Sequence, residues 1–238
     1  MNPTDFEKII YTVNDGVALV TLDNPERRNA WGGRMSVEYR WALHHAHIDT
    51  DVRVVVVTGG GEDFCVGADS QDLKTIEQSG GNYQKTKLEL PPYPEGTPES
   101  FQRNHAYPLS ISKPIIAAVN GACAGVGFLV ASYADFRFGA SNNKIKSSFA
   151  RLGLPAEYGL GWLLPRMMGR ANALQILLDG DRIDGQEALR LGWLQKLHEP
   201  EELLNKTLEY AKKLAKESSG FSMACMKRQI NFDAEGNY

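Results

Sequence analysis

The stretch PIIAAVNGACAGVGF, residues 114–128, decides the fold that this sequence predicts. Its apolar first half predicts a buried strand, Asn120-Gly121 predicts a turn, and the small residues that follow lead into a helix. Small residues at a strand-to-helix turn let a ligand approach the backbone N–H groups, and the helix dipole favours negative charge there. Taken alone, the stretch is more typical of a tight turn packed on a core.

An upstream stretch repeats this pattern. Residues 51–58, DVRVVVVT, are a nearly continuous β-branched run, typical of a strand covered on both faces in a parallel sheet. Residues 64–73, FCVGADSQDL, then place Gly67-Ala68 where a second small-residue turn enters a helix. The glycines at 59–61 do not form the GxGxxG motif of a dinucleotide site. Two copies of strand, glycine turn and helix predict an α/β fold.

Composition excludes several classes of function. The chain has 238 residues, a formal net charge of −3 and a pI near 6.0, so it lacks the basic face that a nucleic-acid partner requires. It has no apolar run long enough to span a bilayer, and residues 1–15 lack the basic start and apolar middle of a secretion signal, so we expect no membrane partner and a cytoplasmic location. Cys65, Cys123 and Cys225 match neither a metal clip nor a redox pair, and we expect buried thiols.

The remaining segments predict alternating strands and helices. Strands are expected at residues 17–22, 135–139 and 144–148, and helices at residues 35–46, 128–133, from 160 onward, 170–178, 184–191, 201–217 and 223–230. His44, His45 and His47 point in different directions on a helix, so we expect solvated or partly packed histidines and no metal site. Residues 79–107 are rich in proline, which favours a partly mobile lid.

Five stretches together resemble the crotonase, or enoyl-CoA hydratase/isomerase, superfamily. They are NPERRNAW (24–31), DVRVVVVTGGGEDFCVGAD (51–69), KPIIAAVNGACAGVGF (113–128), ADFRFGA (134–140) and LPRMMGRANALQILLDGDRIDGQEALRLGWLQKL (164–197). The resemblance implies an α/β spiral of ββα repeats over residues 1–197, with a lid or binding-loop segment at 70–107. It also implies a C-terminal helical trimerisation region at 198–238, which stops sooner than the family pattern leads us to expect. The implied assembly is a homotrimer or a dimer of trimers.

The resemblance also implies a substrate and the residues that bind it. The substrate is an acyl-coenzyme A thioester, with coenzyme A as part of the substrate and no separate cofactor. In the family two backbone N–H groups hold the thioester oxygen, and these correspond to Ala68 and Val126. The positions that correspond to coenzyme A contacts are Arg28, Ala30, Ala68, Asp69, Ser70 and Gln71.

Departures from the family pattern bear on the reaction. Hydratases of the family use two glutamates, and the corresponding positions here are Leu129 and Phe149, which cannot move a proton. Glu157 lies where one branch of Δ3,Δ2-enoyl-CoA isomerases carries a single catalytic glutamate. The resemblance therefore predicts a Δ3,Δ2-enoyl-CoA isomerase with Glu157 as base and acid, although a carboxylate here also suits a helix N-terminus.

Two other functions stay open. In the first, Glu157 activates water or acts as a nucleophile in hydration, hydrolysis or dehalogenase-type chemistry, with His105, Glu95 or Glu99 from the lid as its partner. In the second, the chain binds acyl-CoA and is catalytically silent.

Overall fold

The computed structural model describes residues 1–71, 74, 88–103 and 105–232. Parts of the predicted lid, at 72, 73, 75–87 and 104, lie outside these described residues.

A six-stranded sheet forms the centre of the molecule, in the strand order β1-β2-β3-β4-β6-β8. The first two strands are antiparallel and the others pair in parallel. Every residue of β3 and β4 is buried, because both faces of these central strands are covered. The strands are β1 (Ile9–Asn14), β2 (Val17–Leu22), β3 (Val54–Gly59), β4 (Ile115–Val119), β5 (Ala122–Ala124), β6 (Phe136–Ala140), β7 (Lys144–Lys146) and β8 (Lys196–His198).

Helices cover both faces of this sheet. Residues of α1 share the larger apolar core with β2, β3 and β4, whereas α6 packs against the opposite face. The helices are α1 (Gly33–Ile48), α2 (Val126–Ser132), α3 (Leu160–Met168), α4 (Arg170–Asp179), α5 (Gly185–Arg190), α6 (Leu203–Glu217) and α7 (Gly220–Phe232). In the described part of the chain, no helix is both long enough and apolar enough to cross a bilayer.

A short second sheet turns the chain toward the site. Strands β5 and β7 pair in parallel, and β5 begins three residues after β4 ends. Gly121 makes this turn with φ of +51°, and a Cβ there would lie 1.9 Å from the carbonyl oxygen of Glu62. Helix α2 follows β5 directly, which gives the ββα succession that the resemblance implied.

The structure confirms the predicted core strands and helices and adds elements that the sequence analysis missed. Strands β1, β5 and β8 were not predicted, because β1 is mostly exposed and the other two have three residues each. Cys65 and Cys123 are buried, as expected, but Cys225 is half-buried. Within the described end of the predicted lid, Phe101 and Tyr107 belong to the main core.

Candidate active site

The two small-residue turns lie side by side. Cys65 and Cys123 form a β-bridge, and the N–H of Ala124 donates to the carbonyl oxygen of Cys65 at 3.0 Å. Gly67 and Gly125 both have positive φ, +114° and +51°. A Cβ on Gly67 would lie only 3.3 Å from the carbonyl oxygen of Ala124, so glycine permits this close approach. The fold therefore brings together two turns that are far apart in the sequence.

Each turn presents one backbone N–H. Trp31 donates to the carbonyl of Gly67 at 2.7 Å and accepts from the N–H of Asp69 at 3.0 Å, so the N–H of Ala68 points away from Trp31. Val126 is the first residue of α2, where an N–H has no acceptor within the helix. Among the described residues, neither N–H donates a hydrogen bond. Two such donors can stabilise one oxygen that acquires negative charge.

A cavity of about 420 Å³ opens beside the first of these turns. It brings together Arg28, Ala30, Ala68 and Ser70, four of the six residues expected to contact coenzyme A. Its other lining residues, which no sequence motif indicated, are Glu26, Arg27 and Val66. The two adjacent arginines of NPERR could have indicated that Arg27 belongs to the site. The sequence does not show, however, which arginine pairs with which carboxylate.

Both arginines are engaged by aspartates. Arg27 binds Asp69 through two hydrogen bonds of 2.6 and 2.9 Å, and Asp69 is 8% exposed. The backbone N–H of Gln71 donates to the same carboxylate at 2.7 Å. Arg28 binds Asp63 at 2.6 Å. Burial by itself would raise the pKa of Asp63, but hydrogen bonds from Arg28 and from a backbone N–H outweigh it and lower this pKa. The rim of the cavity is thus fixed by two ion pairs.

Glu157 begins a 3-10 turn, Glu157–Gly159, that leads into α3. The residue is half-buried. Its neighbour Tyr158 has φ of +52°, and the carbonyl of Tyr158 accepts a hydrogen bond from the hydroxyl of Tyr133 at the end of α2. The turn with Glu157 is therefore attached to the helix that begins with Val126.

Aromatic rings connect this turn with the first glycine turn. The ring centroid of Tyr158 lies 4.7 Å from that of His105, and His105 lies 6.1 Å from Trp31, the bridge partner of Ala68. Burial lowers the pKa of His105 to about 4, so its imidazole is neutral at pH 7. Of the three lid residues named as partners for Glu157, His105 contacts this turn, whereas Glu95 and Glu99 are exposed.

Apolar, buried side chains occupy the two positions at which the resemblance places the glutamates of a hydratase. Leu129 is 0% exposed and Phe149 is 6% exposed. A fully buried carboxylate, Glu38, accepts from the backbone N–H groups of Glu7 and Lys8 at 2.9 and 2.7 Å, which gives it a structural role. Glu157, in contrast, lies on a turn that is hydrogen-bonded through Tyr158 to Tyr133, the residue that follows α2.

Comparisons with known proteins agree on one family. The sequence profile described as enoyl-CoA hydratase/isomerase matches residues 12–237. A 1,2-epoxyphenylacetyl-CoA isomerase of Escherichia coli is 31% identical over 234 residues, which cover 97% of this chain and 84% of that protein. A probable enoyl-CoA hydratase of Rhodobacter capsulatus is 36% identical over 187 residues, 79% of this chain and 67% of the relative.

A solved structure shows the same fold. The crystal structure of an enoyl-CoA hydratase from Polaromonas sp. JS666 superposes with a TM-score of 0.82 at 31% identity, covering 96% of this chain and 85% of that one.

Proposed function

The chain belongs to the enoyl-CoA hydratase/isomerase family, and from that membership we propose that it is a Δ3,Δ2-enoyl-CoA isomerase that moves a proton with Glu157. The fold is the crotonase fold. The observation that carries the isomerase proposal is the pair of apolar side chains, Leu129 and Phe149, at the two positions where a hydratase of this family uses glutamates.

The adjacent turns support the first part of the mechanism. Removing a proton from the carbon next to a thioester moves charge onto the thioester oxygen, which becomes an enolate oxygen. The N–H groups of Ala68 and Val126 are two fixed donors for that oxygen. Removing one such donor typically costs on the order of 3–4 kcal/mol of transition-state stabilisation.

A single carboxylate is sufficient for the proton transfer. In a 3-enoyl-CoA, the Glu157 carboxylate takes a proton from C2, the C2–H electron pair forms the C1–C2 double bond of the dienolate, and the carbonyl electron pair moves onto the thioester oxygen. When that oxygen re-forms its double bond to C1, the C1–C2 pair becomes the C2–C3 double bond and the C3–C4 pair takes the proton of the Glu157 carboxyl group at C4, which leaves the 2-enoyl-CoA. No water is consumed. General acid–base catalysis of this kind contributes roughly 10²–10⁴-fold.

The cavity lined by Arg28, Ala30, Ala68 and Ser70 supports an acyl-CoA substrate. Arg28 corresponds to the family position that reaches the phosphate groups of coenzyme A, and its side chain is 58% exposed although it also pairs with Asp63. We propose that Asp69 and Gln71 contribute backbone contacts along the same ligand, and that coenzyme A enters as part of the substrate and not as a separate cofactor. A homotrimer or dimer of trimers stays a prediction for the assembly.

Hydration is the second candidate, and the contact between His105 and Tyr158 favours it. A neutral imidazole beside the Glu157 turn can accept a hydrogen bond from a water molecule and orient it, which would supply the second group that hydration needs. The Rhodobacter relative is named as a probable hydratase, and the Escherichia coli relative as an isomerase.

The test replaces Glu157 with glutamine. With a 3-enoyl-CoA substrate, Glu157→Gln should lower kcat by roughly 10²–10⁴-fold, because the amide has the shape of the carboxylic acid but cannot accept the proton. Glu201→Gln is the matched control, since Glu201 is exposed and lies outside the site. Wild-type turnover by Glu157→Gln, with an intact fold by circular dichroism, would refute the assignment.

The oxygen isotope of the product separates the two reactions. In water enriched in ¹⁸O, an isomerase gives a product without solvent oxygen, whereas a hydratase gives a hydroxyacyl-CoA that carries it. Tight binding of acyl-CoA without turnover of enoyl, hydroxyacyl and haloaryl thioesters would instead indicate a catalytically silent binding protein.

A further inference from the structure

The turn that carries Glu157 has an unusual backbone. Tyr158 has φ of +52° and ψ of +33°, a left-handed conformation that a residue with a bulky side chain rarely adopts, and Gly159 follows with φ of +83°. Such a conformation persists only where surrounding contacts hold it. The position of the Glu157 carboxylate therefore depends on what holds this turn.

Tyr133 is one group that holds it. The hydroxyl of Tyr133 donates a hydrogen bond to the carbonyl oxygen of Tyr158. Tyr133 is 3% exposed, and burial raises the pKa of its phenol to about 12, so the hydroxyl keeps its proton at neutral pH. A Cβ on Gly159 would lie 2.8 Å from this hydroxyl oxygen, so the hydroxyl rests against the glycine. The absence of a side chain at Gly159 therefore leaves room for the Tyr133 hydroxyl.

Helix α2 links this contact to the other half of the site. Val126 is its first residue, and Tyr133 directly follows its last residue. At 1.5 Å per residue, the two residues are about 10 Å apart along the axis. The helix is held firmly, since its residues from Gly127 to Ser132 are buried and Ser132 accepts a hydrogen bond from the indole of Trp193 at 3.0 Å. One short, packed helix therefore carries an N–H donor at one end and the Tyr133 contact at the other.

We propose that Tyr133 is a positioning residue for Glu157: its hydrogen bond to Tyr158 fixes the distance between the carboxylate and the N–H groups that hold the thioester oxygen. This inference rests on the proposed function, because it assigns Glu157 the proton transfer. The mechanism needs the same carboxylate to reach two carbons of a substrate whose oxygen is fixed, so a loosened turn lowers the rate of proton transfer more than the affinity for acyl-CoA.

The first test is Tyr133→Phe, which removes the hydroxyl and keeps the ring. We expect kcat for the 3-enoyl-CoA to fall by about 10- to 100-fold while KM stays near the wild-type value. Tyr11→Phe is the matched control. Tyr11 is half-buried, and its buried hydroxyl oxygen has no hydrogen-bond partner within the described residues, so its removal should leave kcat unchanged.

The second measurement is independent of activity. Amide hydrogen exchange of a peptide that covers the Glu157–Gly159 turn, followed by mass spectrometry, should be faster in Tyr133→Phe than in the wild type and in Tyr11→Phe. Gly159→Ala, which places a methyl group against the Tyr133 hydroxyl, should produce the same two changes.

The outcomes separate the inference from the function on which it rests. A wild-type kcat in Tyr133→Phe, or an unchanged exchange rate in the turn, would overturn the inference while the proposed function stands. A wild-type chain that transfers no proton would refute the proposed function, and the exchange rates would then decide alone whether Tyr133 holds the turn.

Discussion

Gly67→Ala tests whether the two adjacent turns form one oxygen-binding site. Alanine at φ of +114° is strained and should cost about 1–3 kcal/mol of stability. Its Cβ would lie 3.3 Å from the carbonyl oxygen of Ala124, so this oxygen or the Gly67-Ala68 turn must shift by a few tenths of an ångström. The shift moves the N–H of Ala68 relative to that of Val126. Losing one aligned donor lowers kcat by roughly 10²-fold, which corresponds to about 2.7 kcal/mol.

Gly16→Ala provides the control for the backbone strain alone. Gly16 also has positive φ, +76°, but its Cβ would make only an ordinary contact of 3.5 Å with Ala215, and the residue lies in the turn between β1 and β2. It should lose about 1–2 kcal/mol of stability and keep its kcat. Urea denaturation gives the free energies of unfolding, and isomerase assays below the unfolding transition give kcat. A wild-type kcat in folded Gly67→Ala would refute the assignment of these turns.

Two further predictions concern neighbouring groups of the site. Arg27→Ala should lower the free energy of unfolding by roughly 1.5–3 kcal/mol, because it removes the guanidinium that makes two hydrogen bonds to the buried Asp69 carboxylate. Arg28→Ala should change it by only about 0–1 kcal/mol, because the Arg28 side chain is 58% exposed and Asp63 keeps its hydrogen bond from the N–H of Ala122. Equal losses in urea denaturation would contradict this. His105 should make stability pH-dependent, since its pKa falls from 6.5 to about 4 on folding and protonation favours the unfolded chain. The free energy of unfolding should therefore be unaffected by His105 above pH 6.5 and should fall by about 3 kcal/mol as the pH falls toward 4 and below. If the free energy of unfolding of His105→Phe changed with pH in the same way as that of the wild type, this prediction would be contradicted.

Local patterns in the sequence were sufficient for most of the fold. The β-branched run before Gly59 and the apolar half of residues 114–128 became β3 and β4, whose residues are all buried. Helix α1 extends over Gly33–Ile48, slightly beyond its predicted bounds. These predictions succeeded because burial on both faces of a strand, or on one face of a helix, leaves a repeating pattern in adjacent residues.

Short and exposed elements were harder to predict. Strand β1 exposes Ile10 and Val13, and β8 has three residues at an edge of the sheet. Arg27 was missed because an ion pair with a residue 42 positions away leaves no local pattern. The binding roles of Arg28, Ala30, Ala68, Asp69, Ser70 and Gln71, and the lid as a whole, stay predictions.

By itself, the sequence determined the chemistry that the site can contain. It placed glycine at both turns, apolar side chains at Leu129 and Phe149, and a carboxylate at Glu157. Only the tertiary structure decided which of these groups meet. The bridge between Cys65 and Cys123 sets the two turns side by side, and the Tyr133 hydroxyl reaches the carbonyl of Tyr158, 25 residues further along the chain. Such contacts depend on the path of the backbone through the packed core, which no local propensity encodes.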